Sequence, residues 1–362
     1  MKVGLLGAAG TIAPAIVRDL ADSEEVDSIL LLDLRGEVAE QVASEHGGGK
    51  AGARQADARR GLAAELAGLD LLVNSASYRV NLDAMGACLE AGCHYLDLGG
   101  LYRVTGEQLE LDGAFREAGL IAMLGVGSSP GKTNLMAARA VAELEEVESV
   151  AVCAAGRDLD PPQGFSLPYA LETLIDELTI PPVVLRGGEP AEVEPLSDGG
   201  EVDFGDPINR AGTIYTLHSE LRTFGGSFGC RECSFRLSLA PALLEELRRL
   251  TRAPEEEVRA AAARAVRPSG NTVSVHVIDA AGGGRAVRMR SVTPPHQSWG
   301  LGGGIVSTAS PAAAAVRLMA RGQIEERGAL PPERCIDPER MFAELETRGC
   351  RFDLDVKEES AR

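Results

Sequence analysis

The chain has 362 residues, of which 44% are hydrophobic and 25% charged, and its formal net charge is −18. This length indicates two domains with a sizeable core, and the negative charge argues against a nucleic-acid partner or an anionic membrane surface. No apolar run reaches membrane-spanning length and no secretion signal is visible, so we expect a cytoplasmic protein that does not bind membranes.

Residues 2–125 alternate short apolar segments with helical patterns. The apolar segments are hydrophobic on both faces, as strands buried in a parallel sheet are. The alternation predicts an α/β fold with an N-terminal Rossmann-type doubly wound parallel sheet. Its six predicted strands are KVGLLG, SILLLDL, ARQAD, LDLLVNSAS, HYLDLGG and LIAMLGVG.

A turn of small residues, GAAGTIA at positions 7–13, joins the first predicted strand to the first predicted helix. Its spacing differs from the common GxGxxG, but small side chains let the pyrophosphate of a dinucleotide approach the backbone at a helix N-terminus. Asp33 ends the second strand, where a carboxylate can bind the ribose hydroxyls and repel a 2′-phosphate. The pattern therefore predicts NAD. NADP stays possible, because Arg35 could bind a phosphate, stack on adenine or remain in solvent.

The polar run 74–77 closes the fourth strand, at the edge of the sheet where the strand C-termini face a cofactor. Its side chains could contact the ribose and nicotinamide, or they could form an ordinary strand-end turn. The residues predicted to contact the cofactor are Gly7, Ala9, Gly10, Thr11, Ile12, Asp33, Leu34, Arg35, Asp57, Asn74, Ser75, Ala76, Ser77, Gly127 and Pro130.

The segment LGVGSSPGKTNLM, residues 124–136, resembles a phosphate-binding P-loop at first sight. A P-loop requires glycine at the position of Val126, so we do not expect ATP hydrolysis. We predict instead a loop that crosses from the cofactor domain to the substrate. Lys132 and Asn134 in this loop are predicted to bind the substrate.

The pattern changes after this loop to alternating and irregular segments, which predict a mixed sheet with helices on its outer side. The glycine-rich stretch Asp279–Gly284 predicts a hairpin turn between two of its strands. A further helix and a polar, helical tail follow, and the final residues are expected to be loosely ordered.

These patterns predict two domains. Residues 1–127 and 305–345 are predicted to form the NAD(P)-binding Rossmann domain. Residues 128–304 are predicted to form an α+β domain that binds the substrate. The outer face of the strands at 269–293 needs cover, which predicts a homodimer.

Seven cysteines are scattered through the chain, an odd number typical of reduced thiols in a cytosolic protein. Cys230 and Cys233 form a single CxxC. A structural zinc site would need a second cysteine or histidine pair nearby, and none follows at a suitable spacing, so we expect no metal.

Several stretches resemble the saccharopine dehydrogenase-like oxidoreductases, including lysine 6-dehydrogenase and carboxynorspermidine-type enzymes. They are NSASYRVNLDAMGACLEAGCHYLDLGG, GVGSSPGKTN, ELEEVESVAVCAAG, FSLPYALETLIDELTIPPVVLRGGEPAEVEPL and SPAAAAVRLMARGQIEERGALPPE. The resemblance implies oxidation or reduction at a C–N bond. Ala9 and Ala13 replace common glycines, and Lys132 replaces an apolar residue, which points to a more acidic substrate.

Two places carry candidate catalytic groups. Asp97 ends the fifth predicted strand, where it could hold a substrate ammonium, act as a base or cap the following turn. The second place is the segment YTLHSELRTF, which could line a pocket or form an exposed polar strand. There His218 is predicted to carry protons, and the predicted substrate-binding residues are Tyr215, Glu220, Arg222 and Thr223.

The predicted function is an NAD(P)-dependent oxidoreductase that acts on the C–N bond of an amino acid or an amino-acid-derived secondary amine. Hydride transfer from the amine carbon leaves an imine, which water hydrolyses. Two alternatives stay open. A semialdehyde dehydrogenase needs a nucleophilic cysteine at a helix start, whereas Cys153 lies in a strand pattern. A non-catalytic NAD-sensing protein would need no acid–base group in the second domain.

Overall fold

The computed structural model describes residues 1–167 and 169–358, which form two compact units. The first unit comprises Met1–Leu135 and Ser307–Thr347, and the second comprises Met136–Val306 and the chain from Arg348 onward. Within the described ranges, no helix is both long enough and apolar enough to cross a bilayer.

The strands follow one another along both units. In chain order they are β1 (Lys2–Leu6), β2 (Ser28–Asp33), β3 (Ala51–Gln55), β4 (Leu71–Asn74), β5 (His94–Asp97), β6 (Ile121–Met123), β7 (Ser149–Asp158), β8 (Val183–Arg186), β9 (Glu189–Glu192), β10 (Asp198–Asp203), β11 (Arg210–Tyr215), β12 (Glu232–Ser238), β13 (Thr272–Gly282), β14 (Arg285–Thr293), β15 (Gly328–Leu330) and β16 (Arg351–Glu358).

The α-helices connect and cover these strands. In chain order they are α1 (Ala13–Ala21), α2 (Gly36–His46), α3 (Leu62–Glu65), α4 (Asn81–Ala91), α5 (Leu101–Leu109), α6 (Asp112–Glu117), α7 (Lys132–Val141), α8 (Leu171–Thr179), α9 (Glu220–Phe228), α10 (Pro241–Leu250), α11 (Glu255–Arg264), α12 (Gly303–Ala320) and α13 (Pro338–Glu346).

The first unit is built on a parallel sheet with the strand order β15-β6-β5-β4-β1-β2-β3. The chain reverses direction across the sheet between β1 and β4, as in a doubly wound dinucleotide-binding fold. Side chains such as Leu72, Tyr95 and Phe115 are completely buried against the helices. The predicted Rossmann-type sheet is confirmed.

The second unit contains a mixed sheet in which β12 and β7 are parallel and the neighbouring pairs are antiparallel. The predicted hairpin joins β13 to β14, with Gly282 opposite Arg285. Gly283 and Gly284 form its turn with φ angles of 57° and 77°, which glycine adopts without steric cost. The predicted α+β unit with a mixed sheet is confirmed.

Three sequence-based expectations for local structure were wrong. The segment at β15 was expected to be helical, but its residue Ala329 pairs in parallel with Ala122. The loosely ordered tail was also expected wrongly, because β16 pairs with β14 and places Leu354 opposite Met289. Phe352, Leu354 and Val356 alternate with charged residues, which is the pattern of a half-buried strand. An exposed polar strand over 215–223 was the third error, because β11 ends at Tyr215 and α9 follows.

A buried ion pair fastens three distant helices of the first unit together. Arg317 on α12 is only 3% exposed. Its Nη1 donates to Asp19 Oδ1 on α1 at 2.8 Å, and its Nε donates to Glu344 Oε2 on α13 at 2.7 Å. Because Asp19 is completely buried, loss of the cation would leave its carboxylate without this compensation.

We therefore expect Arg317→Met to lower the free energy of unfolding by about 3–5 kcal/mol, measured by urea denaturation. Arg321→Met is the matched control. Arg321 also contacts Glu344, but its side chain is 40% exposed, so its loss should cost below about 1 kcal/mol. Equal effects of the two substitutions would contradict this ranking.

Candidate cofactor and substrate sites

The turn after β1 brings the backbone of the small-residue loop against the turn after β4. Gly7 has a φ of 82°, and a Cβ atom at this position would lie 2.5 Å from Ala76 N. Gly10 N donates to Gly7 O at 2.9 Å and closes the loop. The site therefore requires glycine at position 7 for both its backbone angle and its close approach.

The N-terminus of α1 is available to an anion. Within the described residues, the backbone N–H groups of Thr11 and Ile12 donate to no protein acceptor. Both groups precede the first turn of the helix, whose dipole places partial positive charge at this end. These donors and the small side chains before them suit the pyrophosphate of a dinucleotide.

Asp33 and Arg35 lie together at the same loop. Asp33 accepts hydrogen bonds from Ala9 N at 3.0 Å and from Arg35 N at 2.9 Å. The guanidinium of Arg35 donates to Ala9 O at 3.0 Å and lies 3.7 Å from Asp33 Oδ1. Leu34 is largely exposed beside them. A carboxylate is thus fixed at the end of β2, with a cation as its neighbour.

The side chains of the polar run after β4 take part in the turn itself. Asn74 is buried and donates to Asn81 Oδ1 at 2.9 Å and to the Tyr95 hydroxyl at 3.1 Å. Ser75 Oγ donates to Leu6 O at 2.9 Å. These bonds are those of the strand-end turn that the sequence left as an alternative.

Two further residues assigned to the cofactor form local turns. Asp57 Oδ1 accepts from Arg59 N at 2.9 Å, and Ser77 Oγ accepts from Arg79 N at 3.4 Å. Their contact with a cofactor stays a prediction.

Asp97 is a buried hydrogen-bond acceptor at the end of β5. Its Oδ1 accepts from Gly99 N at 2.9 Å and Gly125 N at 2.8 Å. Its Oδ2 accepts from Gln108 Nε2 at 2.6 Å and Asn81 Nδ2 at 3.2 Å. Burial raises the pKa of Asp97, and the hydrogen bonds partly oppose this rise. The bond from Gly99 N is that of a turn cap, and the role of Asp97 as a base stays a prediction.

The loop at 125–134 is compact and folds back on itself. Gly127 N donates to Pro130 O at 2.9 Å, and Lys132 N donates to Gly127 O at 2.9 Å. A Cβ atom on Gly131 would lie 2.3 Å from Gly127 N, so the two strands of the loop are in close contact. Asn134 Oδ1 accepts from Gly131 N at 2.8 Å.

The two residues assigned to substrate in this loop have partners within the first unit. Lys132 is buried, and its Nζ donates to Ser307 Oγ at 2.7 Å. Asn134 Nδ2 donates to Glu333 Oε2 at 2.8 Å. These bonds connect the loop to α12 and to the segment before α13.

A cluster of acidic and aromatic side chains surrounds His218 in the second unit. His218 Nδ1 lies 3.5 Å from Glu220 Oε2, and its Nε2 lies 4.0 Å from Glu177 Oε1. The imidazole stacks on Phe235, with ring centroids 3.5 Å apart. The Tyr169 hydroxyl donates to Glu177 Oε2. We call Glu177, His218 and Glu220 the acid–imidazole cluster.

The charges in this cluster control its protonation. Burial lowers the pKa of His218, but the hydrogen bond and negative charge of Glu220, with the charge of Glu177, outweigh burial and raise it overall. Burial raises the pKa of Glu177, and the nearby histidine partly opposes this rise. The arrangement therefore favours a protonated imidazole between carboxylates.

Only part of the sequence-predicted group joins this cluster. His218 and Glu220 lie together, whereas Arg222 is exposed on α9 and Thr223 Oγ1 donates to Glu220 O within the helix. Tyr215 pairs with Arg236 on β12, so alternation along the strand places it on the opposite sheet face from Phe235.

Sequence reasoning missed Glu177 and Tyr169. Glu177 lies on α8 between Leu174 and Leu178, which pack into a hydrophobic cluster. A carboxylate on the apolar face of a helix is the signal that could have identified it. Tyr169 precedes the same helix and carried no comparable pattern. Among the described residues, no group of three or more His, Cys, Asp or Glu side chains is arranged to hold a metal.

Comparison with known proteins identifies the family of the first unit. Residues 3–123 match the family described as the saccharopine dehydrogenase NADP binding domain. The predicted membership of the saccharopine dehydrogenase-like family is confirmed. The open N-terminus of α1 and the glycine turn after β1 belong to this domain, so the predicted cofactor class, NAD(P), is confirmed as well.

Two individual proteins extend the similarity beyond this domain. A carboxyaminopropylagmatine dehydrogenase from Synechocystis sp. is 27% identical over 262 residues, which cover 68% of this chain and 64% of that protein. The apo structure of a saccharopine dehydrogenase (L-Glu forming) from Saccharomyces cerevisiae superimposes with a TM-score of 0.73 at 14% identity. That similarity covers 98% of this chain and 99% of the yeast chain, and it shows a shared fold.

The geometry around Gly7 predicts a selective loss of cofactor binding. Gly7→Ala places a methyl group against the Ala76 backbone, so we expect NAD(P)H affinity to fall by more than about tenfold in a fluorescence titration. Gly68→Ala is the matched control, because Gly68 has a similar φ of 80° but no atom within 4 Å of an added Cβ. Both variants carry the strain of a left-handed alanine, about 1–2 kcal/mol, but only the first should lose affinity. Equal affinity in the two variants would refute this reading of the turn.

The acid–imidazole cluster predicts a pH-dependent stability. Because the pKa of His218 is raised on folding, its stabilising contribution is complete below its unfolded pKa of about 6.5 and is lost as pH rises through the folded pKa. We expect the unfolding free energy of the wild type to fall more steeply above neutral pH than that of His218→Gln.

His94 provides a control of opposite sign. Burial, followed by the charge of Arg327, lowers the pKa of His94, so His94→Gln should instead relieve a loss of stability at acid pH. Urea denaturation across the pH range measures both differences. Parallel stability curves for wild type and His218→Gln would contradict the assignment.

Proposed function

We propose that the protein is an NAD(P)-dependent dehydrogenase or reductase that acts on the C–N bond of an amino-acid-derived secondary amine. The observation that carries this proposal is the saccharopine dehydrogenase-type NADP-binding domain at residues 3–123, with its glycine turn and open helix N-terminus. In oxidation, the carbon next to the amine nitrogen gives a hydride to the nicotinamide and the nitrogen loses a proton. Water then hydrolyses the resulting imine to a carbonyl compound and an amine.

The names of the two similar proteins support an amine substrate. Saccharopine and carboxyaminopropylagmatine are both amine compounds, and the agmatine part of the latter carries a cationic guanidinium group. The acid–imidazole cluster has the complementary charge. We propose that Glu177 and Glu220 bind a cationic group of the substrate and that His218 transfers a proton at the reacting nitrogen.

The remaining substrate assignments are proposals of the same kind. Arg222 is suited to a bidentate contact with a substrate carboxylate. Lys132 could add a second cationic contact for such a group. Asp97 is the candidate for a second proton acceptor, in addition to its bonds to Gly99 and Gly125. Tyr215, Thr223 and Asn134 are proposed to complete the substrate contacts.

The preferred coenzyme is proposed to be NAD. Asp33 is held by Ala9 N and Arg35 N, so its carboxylate is fixed where the adenosine ribose lies in this fold. A fixed negative charge at this position repels the 2′-phosphate of NADP. Arg35 is the counter-influence, because its guanidinium lies 3.7 Å from the same carboxylate.

The alternative of a semialdehyde dehydrogenase has less support. Such an enzyme needs a thiolate nucleophile. Cys153 is buried on β7, and burial raises its pKa to about 11, so this cysteine stays a neutral thiol at physiological pH. A non-catalytic NAD-sensing protein is the other alternative, and it would bind coenzyme without turnover.

Two further proposals concern the protein as a whole. We propose a homodimer formed through the β13–β14 face, where Asp279 and Arg288 make a bidentate ion pair at 2.6 and 2.8 Å. A monomer in light scattering at micromolar concentration would contradict it. A cytoplasmic location is supported by the odd number of scattered cysteines.

An activity screen tests the proposed function. We expect the absorbance of reduced nicotinamide to appear with saccharopine-like or polyamine-derived secondary amines, faster with NAD than with NADP. Glu177→Gln should lower kcat/KM for a cationic amine on the order of 100-fold, as loss of one partner of a buried charge pair does, while coenzyme affinity is kept. Glu172→Gln is the matched control on the exposed face of the same helix and should leave kcat/KM unchanged.

Three outcomes would contradict parts of this proposal. Coenzyme binding without turnover on any amine would support the sensing alternative. Turnover of a semialdehyde in place of amines would support the other alternative. A faster reaction with NADP would mean that Arg35 determines the coenzyme preference.

A further inference from the structure

The CxxC pair lies at the junction between α9 and β12. Cys230 follows Gly229, the residue that ends α9 with a φ of 69°, and Cys233 lies in β12. Both cysteines are buried, whereas Gly229, Arg231 and Glu232 around them are exposed. The two thiols are therefore one residue layer below the surface of the second unit.

The two thiols are hydrogen-bonded to each other. This bond lowers the pKa of Cys230, and it raises the pKa of Cys233 well above its usual range together with burial. A thiolate is the nucleophile in thiol–disulfide exchange, so Cys230 is the member of the pair that reacts first.

A second pair of cysteines in the first unit provides a comparison. Cys88 and Cys93 also contact each other, and both are completely buried. Burial, with the Cys93 contact, raises the pKa of Cys88 well above its usual range. Cys93 Sγ donates to His94 O at 3.4 Å. Proximity is thus common to both pairs, but only the pair at 230 and 233 combines it with exposed neighbours and an activated thiol.

We propose that Cys230 and Cys233 form a reversible disulfide with a low-molecular-weight disulfide, such as oxidised glutathione, as the oxidant. The Cys230 thiolate attacks one sulfur of the oxidant, whose S–S bond breaks and releases one thiol with the proton of Cys230. Cys233 then attacks Cys230 Sγ and displaces the second thiol, which takes the proton of Cys233. The protein loses two hydrogens and two electrons, and the oxidant becomes two thiols.

The disulfide would join two elements that hold the acid–imidazole cluster. α9 begins with Glu220, and β12 carries Phe235, on which His218 stacks. Cys233 and Phe235 are two residues apart on the strand, so their side chains lie on the same sheet face. The end of α9 is therefore fixed to the strand beneath His218 in the oxidised protein. This redox pair does not depend on the substrate proposed above.

Peptide mapping of the full chain tests the proposal. Trypsin cleaves after Arg231, between the two cysteines, so only a disulfide can hold the resulting peptides together. We expect treatment of the native protein with oxidised glutathione, alkylation of free thiols and tryptic digestion to yield the peptides of Cys230 and Cys233 linked, with two hydrogens fewer. Dithiothreitol should separate them. Alkylation of both cysteines after oxidation, or a link between Cys88 and Cys93 in their place, would overturn the proposal.

Single substitutions separate the two steps of the exchange. Cys233→Ser leaves the attacking thiol without its resolving partner, so it should retain one glutathione on Cys230. Cys230→Ser should take up no glutathione at Cys233. Cys335→Ser is the control, since Cys335 is buried elsewhere in the first unit, and it should leave the 230–233 link intact. A glutathione adduct on Cys233 in the Cys230→Ser variant would refute the assigned order of attack.

Discussion

The edge of the parallel sheet depends on one buried carboxylate. Asp97 accepts hydrogen bonds from two backbone N–H groups and two side-chain amides, and so it joins the end of β5 to the loop after β6 and to α4 and α5. A buried charge is tolerated only when such donors compensate for its lost hydration. The loop at 125–134 and the turn after β4 are arranged around these bonds, so the geometry of the cofactor edge follows from their satisfaction.

The two units carry different parts of the proposed chemistry. The first offers backbone donors and a fixed carboxylate at Asp33, which are general features of dinucleotide binding. The second gathers two carboxylates around His218 on a floor provided by Phe235. Backbone geometry therefore determines the cofactor class, and side-chain charge is the property that we propose selects the substrate. The CxxC pair lies in the elements that carry this charge, which would connect thiol oxidation to the substrate group.

Strong periodicity made the first unit predictable. Its strands are apolar on both faces, and the turn at Gly7 carries a recognisable pattern, so both could be read without a structure. The contacts of Asp97 and Asn74 could not be read, because their partners come from segments that only tertiary folding brings together. Glu177 was missed for the same reason, since its helix precedes His218 by about forty residues. β15 is too short to show a period, whereas the alternation in β16 was present and was overlooked.

The central claim is that a hydride passes between a nicotinamide and the carbon of a C–N bond. Its most direct test is isotopic transfer with NADH and NADPH deuterated at the nicotinamide C4, each incubated with the protein, an amine and a carbonyl compound that together form an imine. Mass spectrometry locates the label. The account predicts deuterium on the carbon attached to nitrogen in a secondary-amine product. Deuterium in an alcohol, or no transfer while the coenzyme binds, would contradict it.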